Sequence, residues 1–523
     1  MPAPFKGPVK FDRFPWQREI LNINSGQVSI IKAAQMGFSI AGLLRALYMV
    51  AEPKTDVLYI LPTAALASDF AKARLDSVVN LSPDLAGLFP RGGDSVGLKK
   101  TKYQSHIYLR GSISKSGLVS VPVASAILDE FDRCQPGTLD LVHERLSGQL
   151  TKYLMALSTP TLPEFGIAKQ AAMGTQEYFY FTCPSCGKRD HLRFPDSVNI
   201  AGEGFSDPRC SESSYKCTHC QNVLPQETKD VWLKSAIWVP HNASALGHRS
   251  FYINQLYSST ITPGELVVAY FKSMLSDSGA TEFQNQKLGL PYLIAGARIT
   301  DTMIAAVTDL NRSIHDERPA HAGKCIVMGV DVGTYLDCYV TEISYDEDPG
   351  NEPYIRSRSK CLQAIRIPGC DFGQLDNLMA EWQVAHCCVD FQPETVNAKA
   401  FCRRFRGFAS LVQYRRGTQG NEIKKTTDEY GVPTLTVDRT SFMDMALRRL
   451  HRKTVSLPRD VGDIFKEQIK APARTYHKDE DGHVKPVYVA LADDHFAHAM
   501  TLAEAAHFEA FSKQTGRNIK PGE

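Results

Sequence analysis

Four of the thirteen cysteines fall in two pairs, Cys183-Pro-Ser-Cys186 and Cys217-Thr-His-Cys220, with thirty residues between them. Each C-x-x-C turn brings two thiolates to one side of a tight loop, and two such turns supply the four soft ligands of tetrahedral Zn²⁺. The gap is longer than the usual spacing of about 15 to 20 residues, which a looped ribbon tolerates. A redox dithiol is the other chemistry open to C-x-x-C, but two paired knuckles point to one closed, structural Zn²⁺ and no catalysis is assigned to it. Cys210 and His219 are spare ligand candidates.

A second chemistry is written at the front of the chain. Lys32-Ala-Ala-Gln-Met-Gly37-Phe-Ser39 follows the apolar run VSII and precedes a helical pattern, the context in which backbone N–H groups at a helix start cradle phosphate oxygens. Against G-x-x-x-x-G-K-[ST], Gly37 and Ser39 fit, Phe38 stands where the lysine belongs, and Lys32 replaces the first glycine. A lysine entering from the front of the loop can still reach the β- and γ-phosphates of ATP; an ordinary strand-to-helix turn with a surface lysine is the other reading. Downstream, Ala124-Ser-Ala-Ile-Leu-Asp129-Glu130 is an apolar strand ending in two carboxylates, one suited to Mg²⁺ and one to the attacking water. Trp16 and Gln17 precede the loop and could stack on and hydrogen-bond an adenine, unless Trp16 is simply core. Ser158-Thr159-Pro160-Thr161 ends the next strand, where Thr159 could sense the γ-phosphate. Arg74 is open to reading as an arginine finger or as part of a solvated helix face.

A third constellation lies near the C-terminus. Asp331 ends the strand pattern IVMGV, Asp390 ends AHCCV, and Asp493 and Asp494 open the helical pattern DDHFAHAM. Three acids on two strands and a helix form the cage that holds a pair of hard divalent cations, Mg²⁺ or Mn²⁺, for in-line phosphodiester cleavage. Strand, strand, helix is also the order expected of a ribonuclease H-like nuclease. Asp493 and Asp494 could instead cap the last helix. Residues 401–453 carry 12 Lys or Arg against 5 Asp or Glu, an excess that could follow a nucleic-acid backbone or form a solvated basic face.

The elements that must position these groups are α/β throughout. Over the first 160 residues the strand candidates VSIIKAA, DVLYILPTAA, SHIYLRG, SAILDE and YLMALSTPT alternate with amphipathic helices, which predicts a mostly parallel sheet. A Cys-containing insertion occupies 178–225, a helical region follows to about 300, and the first domain spans 1–308. Residues 309–324 read as a linker, 325–508 as a second domain and 509–523 as a flexible tail. With 523 residues, 43% hydrophobic and 22% charged, the chain is neither a stapled miniprotein nor disordered. Lys and Arg number 59 against 57 acidic residues, so bulk charge names no partner. No signal peptide or membrane span is written in the sequence, and a cytoplasmic setting is expected.

Taken together, KAAQMGFS, SAILDEFD, LSTPT, the four-cysteine insertion, FQNQKLGLPY at 283–292, and VMGVDVG, CCVDF and DDHFAHAM resemble the large subunit of tailed-phage terminases, specifically the lambda-like (GpA) type. The resemblance covers most of the chain. It implies a P-loop (ASCE/RecA-like) ATPase with a zinc-ribbon insertion and a C-terminal ribonuclease H-like endonuclease. ATP hydrolysis would thread double-stranded DNA into a procapsid through the portal protein, and the nuclease would cut the concatemer. Lys32, Gly37 and Ser39 would bind phosphates and Mg²⁺, Asp129 would hold Mg²⁺, Glu130 would activate water, and Asp331, Asp390 and Asp494 (or Asp493) would hold two nuclease metals. A small terminase subunit and a ring of copies at the portal would be partners, in the host cytoplasm and without a membrane. The chain is short for this type, which implies a reduced C-terminal portal-binding extension. Two other classes compete: a helicase-nuclease of repair or restriction, and a zinc-containing DNA-binding assembly protein with an inactive P-loop.

Overall fold

The computed structural model describes residues 7, 10–24, 26–90, 95–119, 121–294, 296–316, 325–345, 357–415, 423–478 and 484–515. The chain divides into two compact units, Met1–Leu293 and Ile294–Glu523. Among the described residues no helix is long and apolar enough to cross a membrane.

The N-terminal unit is built on a mostly parallel sheet. Its central strands lie in the spatial order His248–Ile253, Gly26–Lys32, Tyr153–Ser158, Ser125–Asp129, Val57–Leu61, His106–Gly111. All five strand candidates of the first 160 residues are present. Ser125–Asp129, Tyr153–Ser158 and Val57–Leu61 are buried at every position, as expected of parallel strands covered on both faces. One face packs Val28, Ile30 and Ile127 under the helix Phe38–Ala51; the other packs Leu58, Ala126 and Leu128 against Val142, Leu146 and Ile167.

Two expectations are corrected here. Glu177–Thr182 is a strand of the main sheet, paired with Ile237–Pro240 and His248–Ile253, so the insertion begins at Cys183 rather than at 178. The stretch after 225 is not only helical: His248–Ile253 lies directly beside the phosphate-loop strand, Gln27 to Lys32 matching His248 to Ile253. The polar His248 and Arg249 at its start mask the short buried run Ser250–Ile253.

In the C-terminal unit three antiparallel strands, Ser357–Pro368, Tyr335–Tyr345 and Cys325–Val332, continue into the parallel pair His386–Asp390 and Ala409–Arg415. That is the ribonuclease H-like order. Met328 and Val330 face helices Phe372–Glu381 and Thr395–Arg404 through Leu375 and Phe401, while Val327 faces Leu502 and Ala505 of the long helix His495–Thr515. This helix is Ala-rich and buried nearly all round, and it comes very close to the sheet at Gly329. A Cβ there would sit 2.0 Å from the Ala499 carbonyl oxygen and 2.3 Å from the Ala503 nitrogen, both backbone.

The boundary between units falls before the segment read as a linker. Thr308–Asp309 pairs with Leu457–Pro458, and the Arg312 guanidinium donates to the Cys361 and Ser456 carbonyls, so this stretch is part of the second unit; residues 317–324 of the expected linker lie outside the described residues. The tail is likewise shorter than expected, because Ala510 and Phe511 are buried in the long helix; residues 516–523 lie outside the described residues.

Gly329→Ala is expected to destabilise the protein by about 3 kcal/mol through overpacking of backbone on backbone. Gly462→Ala, where a Cβ meets nothing within 4 Å, is the matched control. Denaturant unfolding of both variants checks this.

Candidate active sites and metal centre

Three adjacent strands of the first sheet end together. Ile31 is level with Ser158, and Leu157 with Asp129, so parallel pairing alone delivers Lys32, Ser158 and Asp129 to one sheet edge, the usual place for ligands in such sheets. The Lys32 ammonium forms an ion pair with Glu130 Oε1 at 2.8 Å. Ser39 Oγ, in the first turn of the following helix, donates to Asp129 Oδ1 at 3.2 Å, and Tyr59 OH donates to Asp129 Oδ2 at 2.9 Å. Burial and the neighbouring Glu130 push the Asp129 carboxyl up, against the pull of Lys32 and these two hydroxyls. Burial, and then Asp129, push the Tyr59 phenol well above its ordinary value.

The loop itself is gripped from behind. Ala33 and Ala34 donate their N–H groups to the carbonyls of Ile253 and Gln286, and Gln255 Nε2 donates to the Ala34 carbonyl at 2.9 Å. Gly37 has φ +80°, and a Cβ on it would strike Gln17 Nε2 at 2.6 Å. Trp16 Nε1 and Gln17 Nε2 each donate to the Met36 carbonyl at 3.2 Å. Trp16 is 1% exposed and enclosed by Phe14, Phe179 and Tyr257. Its expected adenine stack is therefore corrected: the ring is core and fixes the loop, and Gln17 does the same from beside it.

Thr159 follows the middle strand and is buried. Its neighbour Thr161 donates both its N–H and its hydroxyl to Asp132, each at 2.8 Å, and Ile167 N–H donates to the same carboxylate at 2.6 Å. Burial raises the Asp132 pKa to about 6 despite these donors. Arg74 is exposed in a π-helical turn, Ala71–Leu75, and its charge acts on the Tyr59 hydroxyl.

In the second unit Asp331 is buried and accepts from His495 Nδ1 at 2.8 Å. Asp390 ends the neighbouring parallel strand; burial and then the charge of Asp331 raise its pKa to about 6. Asp494 faces Arg439 Nη2 at 3.5 Å and His498 Nε2 at 3.4 Å. Burial raises the Asp494 carboxyl, but His498 and Arg439 outweigh it and hold it below the ordinary range. The charges of Asp390, Asp331 and Asp494 all act on the Tyr414 phenol, whose hydroxyl meets His498 Nδ1 at 3.1 Å. Asp493 is exposed and lies towards Arg366 and His495 instead. The basic excess of 401–453 is partly internal: Arg449 is buried against Glu504, Arg404 clasps Asp376, and Lys425 meets Glu509.

The four cysteine sulfurs lie within 4.8 Å of one another, and among the described residues they are the one such ligand group found. Cys183 and Cys220 sulfurs are 3.9 Å apart, as are those of Cys186 and Cys217; Zn–S bonds of about 2.3 Å in a tetrahedron require about 3.8 Å. The two knuckles are built alike: Gly187 and Gln221, both at positive φ, return their N–H groups to the Cys183 and Cys217 carbonyls. Cys210 instead donates to the Gly204 carbonyl and His219 sits on the Arg189 carbonyl, so neither spare candidate joins the cluster.

Tyr59, Asp132, Gln255, Arg439, Tyr414 and the two histidines of DDHFAHAM were not singled out from sequence. Asp132, His495 and His498 stood inside quoted motifs, whereas Tyr59 and Gln255 carry no local signal.

Two family profiles together cover most of the chain. That of the phage terminase large subunit gpA ATPase domain matches residues 3–238, and that of the gpA endonuclease domain matches 248–513. The chain belongs to the gpA family of phage terminase large subunits. The large terminase subunit of Escherichia phage lambda is 23% identical over 382 residues, covering 67% of this chain and 59% of the relative. That of Enterobacteria phage P21 is 22% identical over 315 residues, covering 54% and 49%. The chain thus aligns with roughly half to three fifths of these relatives' length. Among solved structures, the HK97 bacteriophage large terminase covers 96% of both chains at 13% identity, with a TM-score of 0.46. The large terminase of a thermophilic bacteriophage covers 96% of this chain and 100% of its own at 10% identity, with a TM-score of 0.33.

Asp132 generates a prediction with a definite sign. Its folded pKa of about 6 lies above the ordinary 3.8, so the stability it contributes is complete below pH 4 and is lost as pH rises through 6. Between pH 5 and 7.5 the wild type is expected to lose about 1.4 kcal/mol relative to Asp132→Asn, read from urea unfolding at both values.

Proposed function

We propose that this chain is a packaging motor and nuclease: hydrolysis of ATP drives double-stranded DNA through a portal into a procapsid, and a two-metal endonuclease cuts the concatemeric genome. The observation that carries the motor is the meeting of Lys32, Ser39, Asp129 and Glu130 at one sheet edge. On this reading the β- and γ-phosphates draw Lys32 away from Glu130, which is then free to orient and deprotonate the attacking water. Ser39 and Asp129 are the oxygen ligands for Mg²⁺, with Tyr59 keeping the Asp129 carboxylate aimed.

The nuclease reading rests on three acids around Tyr414. Asp331, Asp390 and Asp494 would hold Mg²⁺ or Mn²⁺, and the mutual repulsion already visible at Asp390 is what a cation relieves. Bound metals supply an activated water and neutralise charge at the scissile phosphate. His495 orients Asp331, while His498 and Arg439 orient Asp494, which supports Asp494 over the exposed Asp493. The cysteine cluster would hold one structural Zn²⁺. DNA, the portal, a small terminase subunit and further copies of the chain in a ring are the partners this role requires. A helicase-nuclease needs a second ATPase lobe where the ribonuclease H-like sheet stands, which disfavours it.

DNA-stimulated ATP hydrolysis by the full chain is expected to fall at least about a hundredfold in Glu130→Ala and Lys32→Ala, with plasmid cutting in Mn²⁺ intact. Conversely, Asp331→Ala, Asp390→Ala and Asp494→Ala should abolish cutting and spare ATP hydrolysis, and Asp493→Ala should spare both. Absence of DNA-stimulated hydrolysis in the wild-type chain would leave a binding protein with an inactive loop as the better reading. Metal analysis should find about one Zn²⁺ per chain, lost in Cys183→Ser.

A further inference from the structure

We propose that the four-cysteine ribbon is a positioning element of the phosphate loop, so that metal in the ribbon and nucleotide in the loop stabilise each other's binding. The inference rests on the zinc and ATP readings above and adds a coupling between them.

The path is short and buried. The second knuckle is tied to the segment after the first by Asp190, whose carboxylate accepts from Thr218 N–H at 2.7 Å and Thr218 Oγ1 at 3.0 Å. Two residues on, Leu192 is held at both backbone groups: its N–H donates to Tyr257 OH at 2.9 Å, and its carbonyl accepts from Asn254 Nδ2 at 2.9 Å. Asn254 caps the single turn Gln255–Tyr257, and Gln255, between the two side chains that grip the ribbon, donates to the Ala34 carbonyl of the loop at 2.9 Å. Tyr257 packs on Trp16 at 6.4 Å between ring centres, and Trp16 holds the Met36 carbonyl.

One turn therefore has the ribbon on one side and two loop carbonyls on the other. Asn254, Gln255, Tyr257, Leu192 and Trp16 are each at most 2% exposed. In a close-packed interior such groups move together or lose hydrogen bonds that burial makes expensive. Among the described residues Gln255 Oε1 is buried with no partner, so this amide is anchored at Ala34 through its nitrogen and has an acceptor to spare when the loop rearranges around phosphate.

A ribbon serving instead as a DNA clamp would show a basic surface. Residues 183–225 carry five Lys or Arg and five Asp or Glu, and Arg193 and Arg209 are engaged by Asp190, Asp196 and Asp207.

The test uses the full zinc-loaded chain and the rate at which a chromogenic chelator strips its zinc, with and without a saturating non-hydrolysable ATP analogue and Mg²⁺. Bound analogue should slow zinc release about fivefold or more, and by linkage zinc-stripped protein should bind a fluorescent analogue more weakly than the zinc-loaded chain. Gln255→Ala should keep zinc, bind the analogue more weakly, and at saturating analogue bring the ratio of release rates close to one. Equal release rates in wild type with nucleotide demonstrably bound would overturn the coupling alone, as would an undiminished ratio in Gln255→Ala. A chain without zinc, or without nucleotide binding, would overturn the underlying reading and the coupling with it.

Discussion

Keeping like charges together out of water is the constraint on which both units are built. Asp129 is buried next to Glu130, and Asp331 is buried where its charge bears on Asp390. Burial and a like charge alongside push a carboxyl towards its neutral form, in which it is a poor metal ligand or base. Each cluster is therefore surrounded by groups that offset the repulsion: Lys32, Ser39 and Tyr59 in the first unit; His495, His498 and Arg439 in the second. The sheets exist in this form because only rigid, doubly covered strands hold such groups at fixed range.

The two units meet that constraint differently. In the first, parallel neighbours bring the acids and the lysine to one edge by register. In the second, the third acid immediately precedes the helix His495–Thr515, whose approach to the sheet depends on Gly329, where any side chain would collide with helix backbone. The glycine of VMGVDVG is thus as much a part of the proposed metal site as the aspartate two residues after it.

Much of this was legible in the chain. Apolar runs ending in Lys32, Asp129, Asp331 and Asp390 marked the strands and the charged groups at their ends, because buried parallel strands have few ways to place a charge except at a terminus. The two C-x-x-C turns were legible because a knuckle is a local structure. What stayed hidden depends on long-range pairing. His248–Ile253 opens with polar residues and becomes central only through its neighbours. Trp16 reads equally as a stacking ring or as core until Phe179 and Tyr257 are seen around it. Tyr59 is one aromatic among many until register sets it beside Asp129, and the basic count of 401–453 could not foretell that Arg449 is buried against Glu504.

The Asp132 carboxylate collects Thr161 and Ile167 at once, and Gly166 abuts it so tightly that a Cβ would lie 2.3 Å from Asp132 Oδ1. The chain leaving the strand between Lys32 and Asp129 is therefore pinned at two points to one side chain, with no slack between them. In mechanical terms this is a stiff linkage: a displacement of the strand end on loss of the γ-phosphate would pass into the helix Gly166–Ala172 rather than being absorbed by the loop. On the proposed motor reading, stiffness of that kind would let hydrolysis move a neighbouring element instead of only releasing heat.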